Sequence, residues 1–261
     1  MHQSLYTAST GLDAQQKSLS VIANNIANSN TVGFKKSRIN AETLMTQQIR
    51  QPGVEVGDSM MPSGLAIGLG TRVQSTQEIH SQGGFKNTGV DTDLAISGDG
   101  FFQITLPTGE ISYTRAGNFQ LDGEGNIVTP NGYLLEPQIA VPENATAISV
   151  SQLGVVTATI PNQVDLEEIG VIELAKFINP SGLENRGGNM YLETASSGAP
   201  IVSEAGEDGT GILMQGNLEL SNVNVAESMV EMIETQRAYE LASKVVTNSS
   251  DMISVMNDAV R

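Results

Sequence analysis

The sequence contains no cysteine and no tryptophan. Without thiols, disulfide frameworks, zinc ribbons and thiol catalysis are excluded. Aromatic residues make up only 4% of the chain, too little for a base-stacking or sugar-stacking surface. Two histidines occur, His2 and His80. Neither has acids at a spacing that suggests metal ligation, and His80 is expected at the surface. Basic residues are also scarce, 13 against 29 acidic, for a net charge of −16. That balance argues against nucleic acid and anionic membrane as partners. No run approaches the roughly 18 apolar residues of a membrane helix. The opening residues Met1 to Ala8 have neither the basic region nor the apolar run of a secretory signal peptide. The chain is expected to stay in the cytoplasm or to leave without a cleaved signal.

Signatures of catalysis are missing in the same way. There is no nucleophile elbow, no phosphate-binding loop and no paired-histidine metalloprotease motif. Asp122-Gly123-Glu124-Gly125-Asn126 begins like a calcium loop, but Ile127 stands where the loop needs glycine. Tyr133 stands where it needs a bidentate carboxylate, so a hairpin turn is the expectation. Asp91, Asp93 and Asp99 read as solvated loop acids and not as a catalytic pair. The reading is of a non-enzyme with no metal and no cofactor.

What the sequence does contain is a division into three kinds of chain. Its 261 residues, 39% of them hydrophobic, are enough to bury a real core. Residues 1–38 carry a net +3, residues 222–261 a net −3, and the middle carries the whole −16. The two ends can therefore associate without net repulsion.

The N-terminal stretch has the period of a helix. Leu5, Ala8, Leu12, Leu19, Ile22 and Ile26, with polar Gln15 in the same register, recur in steps of three and four. Asn24, Asn25, Asn28 and Asn30 weaken that helix and Gly33 ends it. The C-terminal stretch predicts a longer helix, begun by Asn224 as N-cap with Glu227 three residues on. Val225, Met229, Met232, Gln236, Tyr239, Val246 and Ile253 form one heptad-like stripe. Val230, Ile233, Leu241, Val245, Met252 and Met256 form a second row. No glycine or proline interrupts 221–261, and a helix of about 35 residues would be ~50 Å long, too long to stand without a partner. From periodicity alone, the stripes fit a hairpin within one chain as well as a pairing between copies.

Between the ends, short β-rich runs alternate with turns. Phe101 to Leu106 is one run. Ile127-Val128-Thr129 and Tyr133-Leu134-Leu135 flank the hairpin turn Pro130-Asn131-Gly132, and runs at 154–160 and 169–177 follow. Residues 46–70, punctuated by Pro52, Gly53, Gly57, Pro62, Gly64, Gly68 and Gly70, read as an extended arm. The expected fold class is α+β: a mostly antiparallel β domain with long N- and C-terminal helices forming a coiled-coil-like domain. The expected boundaries are an N-terminal helix over 1–33, a connecting segment and arm over 34–70, a β-rich domain over 71–220 and a C-terminal helix over 221–261.

Five motifs in order then narrow the reading. They are Asn25-Ile26-Ala27-Asn28-Ser29-Asn30-Thr31-Val32-Gly33-Phe34-Lys35-Lys36, Gly98-Asp99-Gly100-Phe101-Phe102, Tyr113-Thr114-Arg115-Ala116-Gly117-Asn118-Phe119, Gly216-Asn217-Leu218-Glu219 and Glu234-Thr235-Gln236-Arg237-Ala238-Tyr239-Glu240. Together they resemble the bacterial flagellar rod and hook family over nearly the whole chain. The length, and the arm with Gln51, Pro52, Gly53, Pro62 and Gly64, are most similar to its distal-rod members, with proximal-rod or hook paralogues as the second reading. The resemblance implies a structural subunit that polymerises helically into a hollow drive shaft, the terminal helices lying innermost. It implies as partners further copies of the chain, proximal-rod proteins, the hook protein or hook–rod junction, the P-ring and L-ring proteins and the flagellar type III export apparatus. It places the protein in the basal body, spanning the periplasm to the outer membrane. The motif asparagines Asn25, Asn28 and Asn30 are expected to end the helix and fix the turn that follows. Gly33 would supply its backbone shape and Phe34 an apolar anchor, while Lys35 and Lys36 would be solvated.

Overall fold

The computed structural model describes residues 2–260 apart from 52–54, 57–58, 61–62, 143 and 162–166. The chain forms two compact units. One comprises residues 1–27, 37–78 and 224–261; the other comprises residues 28–36 and 79–223.

The first unit is built on two long helices, α1 (His2–Ala27) and α2 (Val225–Val260). Asn224 caps α2: its Oδ1 accepts from the N–H of Ala226 at 3.1 Å and of Glu227 at 3.5 Å. That satisfies donors which the first helical turn leaves without partners. α1 packs along α2 and also against the strands Ser37–Thr43 and Thr71–Glu78. Those strands pair antiparallel from Ser37↔Glu78 to Thr43↔Thr71, with a bulge between Asn40 and Ala41. The ribbon continues outward, where Thr46–Arg50 pairs with Leu65–Gly68. Leu44 and Leu69 close the gap by donating to the carbonyls of Gly70 and Met45. The segment expected as an extended arm includes a two-stranded ladder, in which Thr46–Arg50 and Leu65–Gly68 satisfy each other's backbone groups. Gly70 shows why the ribbon lies so close to α1. Its φ is +114°, and a Cβ there would lie 2.2 Å from Thr10 Oγ1, the oxygen that accepts from the Thr71 N–H at 3.4 Å.

The second unit is β-rich. Among the described residues its largest sheet has nine strands, all antiparallel. Its main path runs Gln120–Leu121, Ile127–Val128, Leu134–Glu136, Phe101–Thr105, Ile111–Thr114, Met190–Leu192, Glu184–Gly187. Glu173–Lys176 bridges Phe101–Thr105 to Ile201–Glu204. A three-stranded sheet (147–150, 155–159, 167–171) and two ladders, 94–97 with 212–215 and 85–87 with 217–219, complete it.

Successive strand residues point to opposite faces, and Phe101 and Phe102 use this to seed two cores. Phe102 packs in the larger one with Leu94, Ile96, Phe119, Leu135, Val156, Ile172, Leu174 and Leu213. Phe101 packs with Tyr113, Phe177 and Tyr191. The turn that resembled a calcium loop is a tight reversal. Gly125 N donates to Asp122 O, Asp122 N to Asn126 O, and Gly123 N to the Asp122 carboxylate. Among the described residues no three histidine or acidic side chains gather as a metal site would require.

Candidate functional site: a buried ionic clasp and an exposed helix face

Glu219 ends the strand Asn217–Glu219 with its side chain 1% exposed. Its Oε1 accepts from Lys35 Nζ at 2.7 Å and from the Gly83 N–H at 2.9 Å. Its Oε2 accepts from Arg115 Nε at 2.6 Å. Lys35 and Arg115 are buried with the carboxylate they share. Lys35 also donates to the Ser81 carbonyl at 2.9 Å. Arg115 reaches the carbonyls of Gly98 and Gly100, and that of Ile96 at 3.2 Å. Each charged group thus has an ionic partner and further hydrogen bonds, two cations sharing one carboxylate, as burial in a low-dielectric interior demands.

The electrostatics follow from this geometry. Burial alone would raise the Glu219 carboxyl, but Arg115, Lys35 and the Gly83 N–H outweigh it and hold the group below its ordinary value. Burial lowers the Lys35 ammonium, against the opposing pull of Glu219. His80 lies beside this cluster, its ring edge-on to Phe101 at 5.6 Å and to Tyr191 at 5.5 Å. Burial, with the nearby Lys35 and Arg115 charges, lowers its pKa to about 4. His80 is therefore a half-buried, neutral core residue, not the surface residue expected from sequence.

Backbone contacts extend the clasp. Gly33 N donates to Glu219 O at 2.9 Å, and Asn222 N to Phe34 O at 3.4 Å. Asn222 Oδ1 accepts from Lys36 N at 2.7 Å, while its Nδ2 donates to the carbonyls of Ile79 and Ser81. Asn189 Nδ2 donates to Val32 O at 2.7 Å. Gly33 is required by two facts together. Its φ is +70°, and a Cβ would come within 2.7 Å of Ala116 N. Phe34 is half-buried, Asn30 is exposed, and Asn28 Oδ1 accepts from Thr31 Oγ1 at 3.2 Å. Lys35, expected to be solvated, is the most deeply enclosed cation of this turn, because Glu219 offers it a partner that water would otherwise supply.

In the first unit, Asn25 is buried, and its amide meets the backbone of Ser37 twice. Nδ2 donates to Ser37 O at 2.7 Å and Oδ1 accepts from Ser37 N at 3.0 Å. The side chain acts as a strand partner would, tying the end of α1 to the first strand. On α1, Ile22 is buried and Leu5, Ala8, Leu12, Leu19 and Ile26 are half-buried. On α2 the expected stripe divides. Met232, Val246 and Ile253 are half-buried, whereas Val225, Met229, Gln236 and Tyr239 are exposed. The line that turns inward is Ser228, Met232, Thr235, Ala242, Val246, Ser249 and Ile253. Small side chains at Ser228, Thr235, Ala242 and Ser249 alternate with the apolar Met232, Val246 and Ile253, so the inward face is not marked by apolarity alone. Large apolar groups are left in water: Met229, Val230, Ile233, Leu241, Val245, Met252 and Val255. Of the arm residues, Gln51 and Gly64 are exposed, and Pro52, Gly53 and Pro62 lie outside the described residues.

The clasp leaves a faint signal in the sequence. Arg115 is the lone charge between Glu110 and Asp122, and Glu219 the lone charge between Asp208 and Glu227. An isolated charge in a run of uncharged residues is a candidate for a buried pair.

Known families match the same segments. Residues 5–35 match the flagella basal body rod protein family, 95–158 the flagellar hook protein FlgE/F/G D1 domain, and 214–259 the flagellar basal body rod FlgEFG protein C-terminal domain. Over 258 residues, covering 98% of this chain and 99% of the relative, the sequence is 46% identical to the flagellar basal-body rod protein FlgG of Buchnera aphidicola subsp. Acyrthosiphon pisum. The chain belongs to the FlgG family of flagellar basal-body rod proteins. The FlgG proteins of Borreliella burgdorferi, 42% identical with all of both chains covered, and of Bacillus subtilis, 38% identical with 97% of each covered, agree. As a member of the FlgG family it is a structural rod subunit of the flagellum, located in the basal body. Lys35, Arg115 and Glu219 fall one in each of the three matched regions, so the clasp joins the parts by which the FlgG family is recognised.

Proposed function

We propose that the chain is a subunit of the distal rod, polymerising helically through its terminal helices into the hollow shaft that carries torque from motor to hook. The carrying observation is the uncovered apolar face of α2 in a chain of this family, with Val230 57%, Leu241 63% and Val255 67% exposed. Each such side chain is worth about 1.5–3 kcal/mol once covered, before ordering costs. Exposed apolar surface of this extent marks an interface. On this reading Val225, Met229 and Tyr239 serve contacts between copies, and Leu5, Leu12 and Ile22 hold α1 on α2. The arm spans neighbouring subunits, and the acidic β-rich unit faces the P- and L-rings. Proximal-rod proteins below, the hook junction above and the type III export apparatus complete the partners. The role is structural, the most deeply buried charges being consumed in holding the fold.

Electron microscopy of basal bodies from a strain lacking the gene tests this. The expected result is a rod that stops short, with proximal subunits present and no hook. Loss of the proximal rod as well would move the assignment to a proximal paralogue, and normal hook-bearing basal bodies would overturn it.

A further inference from the structure

Gly11 sits in the middle of α1, where glycine weakens a helix relative to alanine. Nothing within the chain asks for it. A Cβ added there would meet no atom within 4 Å outside its own helix, and its backbone is ordinary helix. By contrast, Gly33 and Gly70 are each crowded by their own chain. Gly11 instead lines an apolar groove of about 590 Å³, walled by Thr7 and Ala8 on α1, Ile67 on the outer ladder, and Ala242 and Val245 on α2.

We infer that this groove seats the N-terminal part of α2 from a second copy, with Val230 and Ile233 packed over Gly11. The inference rests on the proposed polymerising role and names the contact. Two observations select this occupant. Val230 and Ile233, three residues apart on one helix face, are 57% and 49% exposed and supply a ridge of the right chemistry. Charge also matches. The ridge is flanked by Glu227, Glu231 and Glu234, whereas the groove's lining is uncharged and the α2 stretch beside Ala242 and Val245 carries Arg237 and Lys244 against the single acid Glu240. Groove and ridge are different patches of one chain. The contact is therefore heterologous and propagates from copy to copy without closing on itself. A side chain at position 11 would hold the incoming helix away, so the glycine is explained by a neighbour and not by the monomer.

The absence of cysteine makes the test direct. Full-length chains carrying Gly11→Cys with Val230→Cys, or Gly11→Cys with Ile233→Cys, are expressed in the deletion strain, and the isolated basal bodies are oxidised. Covalent multimers are expected from these pairs and not from a control pair of Gly11→Cys with Thr247→Cys. In parallel, Gly11→Leu is expected to leave the purified monomer at least as thermally stable as the parent while cutting the number of hook-bearing basal bodies at least tenfold. Val230→Glu with Ile233→Glu is expected to do the same. Assembled rods that contain the cysteine variants but give no cross-link, or a Gly11→Leu chain that assembles like the parent, would overturn the inference and leave the rod assignment standing. If the parent chain itself were missing from the rod, the rod assignment would fail first.

Discussion

Lys35 Nζ and Glu219 Oε1 lie 2.7 Å apart although 184 positions separate the two residues, and both side chains are sealed from water. Arg115 holds the other carboxylate oxygen, so one anion serves two cations drawn from distant segments. The loss of either kind of partner therefore has unequal consequences.

Glu219→Gln leaves two buried cations without a counter-charge and is expected to cost about 3–5 kcal/mol, the usual penalty for breaking a buried pair. Lys35→Met leaves Arg115 still paired and should cost clearly less. Denaturant unfolding of both variants gives the order directly. If Lys35→Met proved the more damaging, Glu219 would not be the centre of the network.

Gly33→Ala and Gly89→Ala form a matched comparison. Both glycines have φ near +70°, but a Cβ at Gly89 meets nothing within 4 Å, whereas at Gly33 it strikes the Ala116 backbone. Gly89→Ala should cost only the left-handed backbone, about 1–2 kcal/mol. Gly33→Ala should exceed that by the clash. Equal melting temperatures for the two variants would show that the Gly33 turn moves away at no cost.

His80 makes stability depend on pH in a defined window. In the unfolded chain its imidazole takes a proton near pH 6.5, while in the fold it does so at about 4. Stability from this group is complete above pH 6.5 and falls as pH drops from 6.5 to 4. The unfolded state binds the proton first over that range, for a total of up to about 3 kcal/mol, less to the extent that water reaches the ring. The Glu219 contribution is lost at lower pH, as acid falls below the ordinary carboxylate value. Unfolding free energies between pH 7 and 4 should slope for the parent, and His80→Phe should flatten that slope.

Asn25→Ala removes both bonds to the Ser37 backbone and leaves a buried donor and acceptor unmatched. The expected cost is about 1–3 kcal/mol. Amide exchange at Ser37 should quicken markedly. Asn25→Asp keeps only the accepting oxygen and should fall between alanine and the parent. An unchanged Ser37 amide in the alanine variant would show that the strand holds without the side chain.

The helices were legible because their signals are local. An unbroken three-four period and an asparagine cap at 224 announce α2 from sequence alone. The β-rich unit was legible through its turns, as at Pro130-Asn131-Gly132. The heptad-like stripe of α2 does not coincide with its inward face, since Val225, Met229, Gln236 and Tyr239 are exposed within the single chain. The residues that turn inward include Ser228, Thr235 and Ser249, which apolarity alone does not mark. The ladder within the arm is not announced by the sequence, because glycine and proline mark turns more loudly than short strands mark pairing. The clasp is barely legible, since no local period connects Lys35, Arg115 and Glu219. Only the isolation of Arg115 and Glu219 among uncharged neighbours hints at burial.

The position of Glu219 near the end of the chain also sets an order in time. A chain emerging N-terminus first presents Lys35 early and Arg115 later, but both wait for the strand Asn217–Glu219 before their charges can leave water. Until then the β-rich unit lacks its final ladder, 85–87 with 217–219. Completion is withheld until all but the last helix has appeared, so the clasp cannot close before most of the chain exists.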